Sequence, residues 1–174
     1  MVNKPKAVGT AAESAVVRAL RTLGFPHAER RALAGAYDLG DITGCPGLVF
    51  EVKGGEAAKN ASDGLITDWM AETEAERANA RADVGVLVLQ RRGIGASNAH
   101  RWWAILRLSD VVRLGSYGRH STPTEVDCPA RVLLADACVL LRRAGYGQPL
   151  DAPAEAVPAA LTEVAQPPAA VASC

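Results

Sequence analysis

The chain has 174 residues, with 19 Lys and Arg balanced by 19 Asp and Glu. That length allows one compact domain and a tail, and a formal net charge of zero argues against nucleic-acid binding through bulk charge alone. No stretch is long and apolar enough to span a membrane. The polar start Met1-Val2-Asn3-Lys4-Pro5-Lys6 lacks the apolar run of a signal peptide, so a cytoplasmic location is expected. Cys45, Cys128, Cys138 and Cys174 form no C-x-x-C pair, which predicts isolated reduced thiols rather than a zinc site.

In chain order, Val16, Val17, Leu20 and Leu23 recur at helical spacing and predict a helix over 8–23, stopped by Gly24 and Pro26. Residues 27–40 are polar and basic and predict an irregular or extended segment. Asp41-Ile42-Thr43, the turn Gly44-Cys45-Pro46-Gly47 and Leu48-Val49-Phe50-Glu51-Val52-Lys53 read as a β-hairpin. A polar loop is expected over 54–64 and a helix over 65–82, with Glu72, Glu74 and Glu76 on a solvated face. Val84 to Leu89 reads as a buried strand, 91–100 as a loop and 102–108 as another strand. Ser109 is a candidate cap for a short helix to Leu114, and Ala130 to Ala144 reads as a third long helix. After Gly147 the composition shifts to Ala, Pro and Val. The only charges from Leu150 onward are Asp151, Glu155 and Glu163, so the remainder has 16 acids against 19 bases, a net +3. The expected class is α/β or α+β, a small mixed sheet flanked by helices.

Four residues carry chemistry. Glu13 falls three, four and seven residues before Val16, Val17 and Leu20, which places a carboxylate on the apolar stripe of its helix. Alternation puts Leu48, Phe50 and Val52 on one face of their strand and Val49, Glu51 and Lys53 on the other. Simple hairpin register puts Asp41 close to opposite Glu51. Two adjacent carboxylates repel each other, a conflict that a divalent cation removes. Oxygen-only ligands select magnesium or manganese, suited to hydrolysing a phosphodiester beside a lysine.

Asp41, nine residues, then Glu51-Val52-Lys53 resembles the D-x(n)-(D/E)-x-K signature of the PD-(D/E)xK nuclease superfamily. Gly9-Thr10-Ala11-Ala12-Glu13, Arg30-Arg31 and Asp38-Leu39-Gly40-Asp41-Ile42 extend the likeness over about 6–115 to the Holliday junction resolvase branch, and to small resolvases of actinobacterial phages. One departure is Gly40 before the first acid, where the family pattern has proline. The resemblance implies a restriction-endonuclease-like αβββαβ core in a nuclease domain over 1–146. A C-terminal helix at about 129–145 and a mostly disordered tail over 147–174 lie outside the likeness. It implies a magnesium-dependent, structure-selective endonuclease acting on four-way DNA junctions as a homodimer, with no nucleotide cofactor and no membrane partner; for a phage-encoded chain the location is the host cytoplasm. Asp41, Glu51 and the backbone carbonyl of Val52 would hold the metal, Lys53 would be the catalytic lysine, and Glu13 would reach the metal directly or through water. Arg30, Arg31, Arg91 and Arg92 are candidate DNA contacts. The alternatives are the same chemistry on another DNA substrate, or an inactive DNA-binding module with this fold.

Overall fold

A computed structural model describes residues 4–31, 38–115 and 128–150. The Ala/Pro-rich tail from 151, Cys174 with it, lies outside the described residues. The first helix, α1 (Lys4–Thr22), is followed by two short strands, β1 (Glu29–Arg30) and β2 (Ile42–Thr43), and by β3 (Leu48–Lys53). Two helices, α2 (Gly55–Lys59) and α3 (Asp63–Asn79), lead to β4 (Val84–Leu89). A 3-10 turn over Ala96–Arg101 precedes β5 (Trp103–Arg107), α4 (Leu108–Gly115), β6 (Pro129–Leu133) and α5 (Leu134–Arg143). The result is an α/β fold with one mixed six-stranded sheet in the order β1-β2-β3-β4-β5-β6. Among the described strands, β3 and β4 run parallel and the other neighbours are antiparallel. A parallel pair needs a crossover, and here α2 and α3 supply it. No helix among the described residues is long and apolar enough to cross a membrane.

The two faces of the sheet differ. On one, Ala12, Val16 and Leu20 of α1 and Leu134, Ala137 and Leu141 of α5 pack on Leu48, Phe50, Val52, Val84, Val86 and Val88. On the other, α3 lays Ile66, Trp69 and Met70 over Leu87, Leu89 and Ile105. Burying each large aliphatic side chain contributes about 1.5–3 kcal/mol before the entropic cost of ordering the chain. The sheet is thus covered on both sides. The alternation expected for β3 holds, with Leu48, Phe50 and Val52 under α1 and Glu51 and Lys53 turned toward α3.

Three expectations are corrected. The polar loop over 54–64 contains the five-residue helix α2, and α3 starts earlier than 65, capped by Ser62, whose hydroxyl accepts from the Leu65 N–H at 3.3 Å. Ser109 lies inside α4 and not at its cap. The long helix over 130–144 is two elements: β6 pairs with β5 from Trp103↔Leu133 to Arg107↔Pro129, and only then does α5 begin. Pro129 is compatible with either element, and at the first residue of this edge strand its missing N–H is tolerated.

Helix α1 approaches the end of β3 closely. A Cβ on Gly54 would stand 2.5 Å from the Cβ of Ala12, nearer than two carbons pack. Gly54→Ala is therefore expected to cost about 1–3 kcal/mol by overpacking, measured by urea unfolding, with Ala12→Gly restoring part of the loss in the double variant. Additive losses would mean that the two do not touch.

Candidate active site

The acidic residues converge where β2 meets β3. Ile42 pairs with Phe50, the register that puts Asp41 beside Glu51. The Asp41 N–H donates to the Phe50 carbonyl at 2.9 Å, and the Asp41 Oδ2 accepts from the Val52 N–H at 2.8 Å. Gly40 explains the missing proline. Its φ of +84° is closed to a ring that holds φ near −65°, and a Cβ there would meet the Val49 Cγ1 at 2.7 Å. Asp38 forms the turn before it, its Oδ1 accepting from the Gly40 N–H at 3.2 Å.

Glu51 is 8% exposed. Its Oε1 lies 2.8 Å from the Lys53 Nζ, which also reaches the Glu72 Oε2 at 2.9 Å and stands 5.8 Å from the centre of the Trp69 ring. Burial, then the charge of Asp41, pushes the Glu51 carboxyl up to about 8. Burial also raises Asp41, against the hydrogen bond from Val52. Burial alone would lower the Lys53 ammonium, but hydrogen bonds and charge from Glu51 and Glu72 outweigh it and raise its pKa. Lys53 is firmly protonated.

Glu76 belongs to this group and was expected on a solvated face. It is 5% exposed and lies within hydrogen-bonding reach of Glu51. Its Oε2 is buried with no hydrogen-bond partner. Burial, then the charge of Asp38, raises it to about 7. Of the other two glutamates, Glu72 is exposed but bound to Lys53, and Glu74 pairs with Arg77 and Arg107. The signal for Glu76 was present in the spacing: Ile66, Trp69, Thr73 and Glu76 recur at three and four residues, the core-facing stripe of α3.

Glu13 approaches from the other side. It projects from α1, which covers the opposite sheet face, and its charge acts on Asp41. Arg30 binds its Oε2 through Nε and Nη2, each at 2.7 Å. Arg31 spends its guanidinium on the Gly40 carbonyl at 3.1 Å, bracing the turn before Asp41. The two candidate DNA contacts nearest the acids are thus engaged within the chain. Arg91 and Arg92 stand farther along the sheet, one over Trp103 and the other bonded to Asn60. Later in the chain, Arg107 and Arg113 pair with the buried Asp110. Trp102 is core and donates to the Ile94 carbonyl at 3.1 Å.

Among the described residues, no three His, Cys, Asp or Glu side chains stand as a ready ligand set. Glu13 is drawn to Arg30, Glu51 to Lys53 and Asp41 to a backbone N–H. The donor chemistry nevertheless fits a hard divalent ion: the carboxyl groups of Asp41, Glu51 and Glu76 have raised pKa values and one buried oxygen is orphaned, with Lys53 as the cation on Glu51. No protein-family model matches the chain, and neither a similar curated protein nor a similar solved structure is found.

Proposed function

We propose that the chain is a magnesium-dependent endodeoxyribonuclease of the PD-(D/E)xK type, cutting branched DNA at four-way junctions. The observation that carries the reading is the convergence of Asp41, Glu51 and Lys53 on neighbouring strands, with more buried carboxylate than the one lysine can neutralise. The chain order supports it: a helix, three antiparallel strands, a helical crossover and a strand parallel to the third follow the expected αβββαβ sequence of elements.

Asp41 and Glu51 would hold the ion with the Val52 carbonyl. Glu76 stands ready as a further oxygen donor, and Glu13 would join through water on the side of Asp41. Bound there, magnesium, or manganese as its substitute, would supply polarisation of a phosphoryl oxygen and a water of lowered pKa. Lys53 sits on the same strand face as Glu51, where its charge would offset negative charge building on the phosphate oxygens. Glu72 and Glu51 hold that ammonium in place, so it needs little reordering when substrate arrives. A homodimer would present two such sites to the paired strands of a junction. The expected location is cytoplasmic.

A gel assay comparing four-way junction, fork, nicked and linear duplex, with magnesium and with chelator, tests this. Symmetric nicked products from the junction, lost with chelator, are expected. Equal cutting of linear duplex would remove the junction selectivity, and cutting in chelator would remove the metal.

A further inference from the structure

Beyond the acids, on the same face of the sheet, lies a cleft of about 260 Å³. Its floor is apolar, formed by Ala58, Ile66 and Leu89. Its wall is Trp103, half-buried, with the Arg91 guanidinium 4.2 Å and the Arg131 guanidinium 5.8 Å from the ring centre. Lys59 and Arg92 complete the rim. Lys59 is paired with Glu56 and Arg92 with Asn60. Arg91 and Arg131 meet no carboxylate among the described residues, and each is held against an indole. Stacking a guanidinium on a ring fixes its plane while leaving its N–H edge free to bind phosphate.

The sheet register sets the distance to the acids. Lys53 pairs with Leu89 and Leu89 with Trp103, so Trp103 stands two strand spacings from Lys53, ~10 Å. Arg131 pairs with Ile105 and therefore shares the face of Trp103. Aromatic wall, apolar floor and phosphate-binding rim are the three parts that bind a nucleotide with its base out of the stack. We propose that this cleft takes an unpaired nucleotide of the DNA strand that crosses the acidic site, its base against the floor and Trp103 and its phosphates on Arg91 and Arg131. The inference rests on the nuclease reading for its strand, and it would select DNA with unpaired or easily unpaired nucleotides beside the cut.

The test is binding, measured by fluorescence anisotropy with calcium in place of magnesium. The probes are a blunt duplex, the same duplex with a short single-stranded extension, and a four-way junction. Arg91→Ala with Arg131→Ala, and separately Trp103→Leu, should weaken binding to the extended duplex and the junction tenfold or more. Binding to the blunt duplex should change less than threefold, with an unchanged circular dichroism spectrum. Arg91→Lys should recover only part of the loss, since lysine restores the charge without the planar stack. Equal losses on all probes would reduce the cleft to a general basic surface, and no loss would empty it; either overturns the proposal. Competition by a free deoxynucleoside monophosphate as strong as by the oligonucleotide would make it a small-molecule site and also overturn it. Selective binding without magnesium-dependent cutting would defeat the nuclease reading and leave the cleft standing. Cutting with no effect of these variants on binding would do the reverse.

Discussion

On the proposed nuclease reading, Lys53→Ala is expected to lower DNA cleavage by about 10²–10³-fold while junction binding in calcium stays within a few-fold. Lys53 is the cation bonded to Glu51, and it is only half-buried, so its loss opens no large cavity. It does strip Glu51 of its partner. A buried carboxylate without a cation costs free energy until it takes up a proton, and Glu51 already holds one up to a pH of about 8. The variant should therefore fold at neutral pH and lose chemistry rather than structure. Asp41→Asn separates the two roles further. An asparagine oxygen can still accept from the Val52 N–H, now met by Oδ2 at 2.8 Å, while the negative charge beside Glu51 disappears. Its metal-free melting temperature should equal or exceed that of the parent, with cleavage abolished. Such an exchange of stability against activity is expected where charge is concentrated for function. If both variants still cut with magnesium, these residues are not the site.

Without metal, the protein should lose stability as pH rises from about 5 to 8, as the pKa values of Glu51 and Glu76 require. Below the usual glutamate value of 4.5 both groups are protonated in the folded and the unfolded chain. Between there and 7 to 8 the unfolded chain ionises while the folded one keeps its protons, so unfolding releases protons and is favoured by rising pH. The slope is at most about 1.4 kcal/mol per pH unit for each proton held, and the curve flattens above pH 8. The two carboxyls share the effect, so Glu76→Gln should both flatten the slope and raise metal-free stability at pH 8. On the proposed reading magnesium would compete with these protons and bind the folded state alone, so it should raise the melting temperature more at pH 8 than at pH 5.5. Thermal melts with chelator and with millimolar magnesium at both pH values measure this. Stability that rises from pH 5 to 8, or a slope untouched by Glu76→Gln, would contradict the burial of these carboxyls.

The elements that could be read from the sequence are those whose pattern is local. Val16, Val17 and Leu20 mark α1, and the short, β-branched apolar run Val84 to Leu89 reads best as a covered strand, which it is. Asp41, Glu51 and Lys53 were legible because a hairpin sets its own register. What escaped depends on partners distant in sequence. Pro129 to Leu133 is strand because β5 offers it a ladder; alone, the Ala- and Leu-rich run into Leu134 favours helix. Glu76 escaped because two neighbouring glutamates do face outward. The same stripe argument that placed Glu13 toward the core places Glu76 there too.

The parallel pairing of β3 with β4 bears on when the site comes into being. Its ladder joins Lys53 to Leu89, so it closes only after α2 and α3 have crossed between the strands, and such long-range closures form late because their loop entropy is lost first. Asp41 and Glu51 meet within one hairpin, whereas Glu76 arrives with the crossover helix and Glu13 with the docking of α1. A chain still emerging from its ribosome, with β4 not yet made, would hold the hairpin acids open to water and lack the cover that raises their pKa values. On the proposed reading, the nuclease would thus be inert until its sheet is complete.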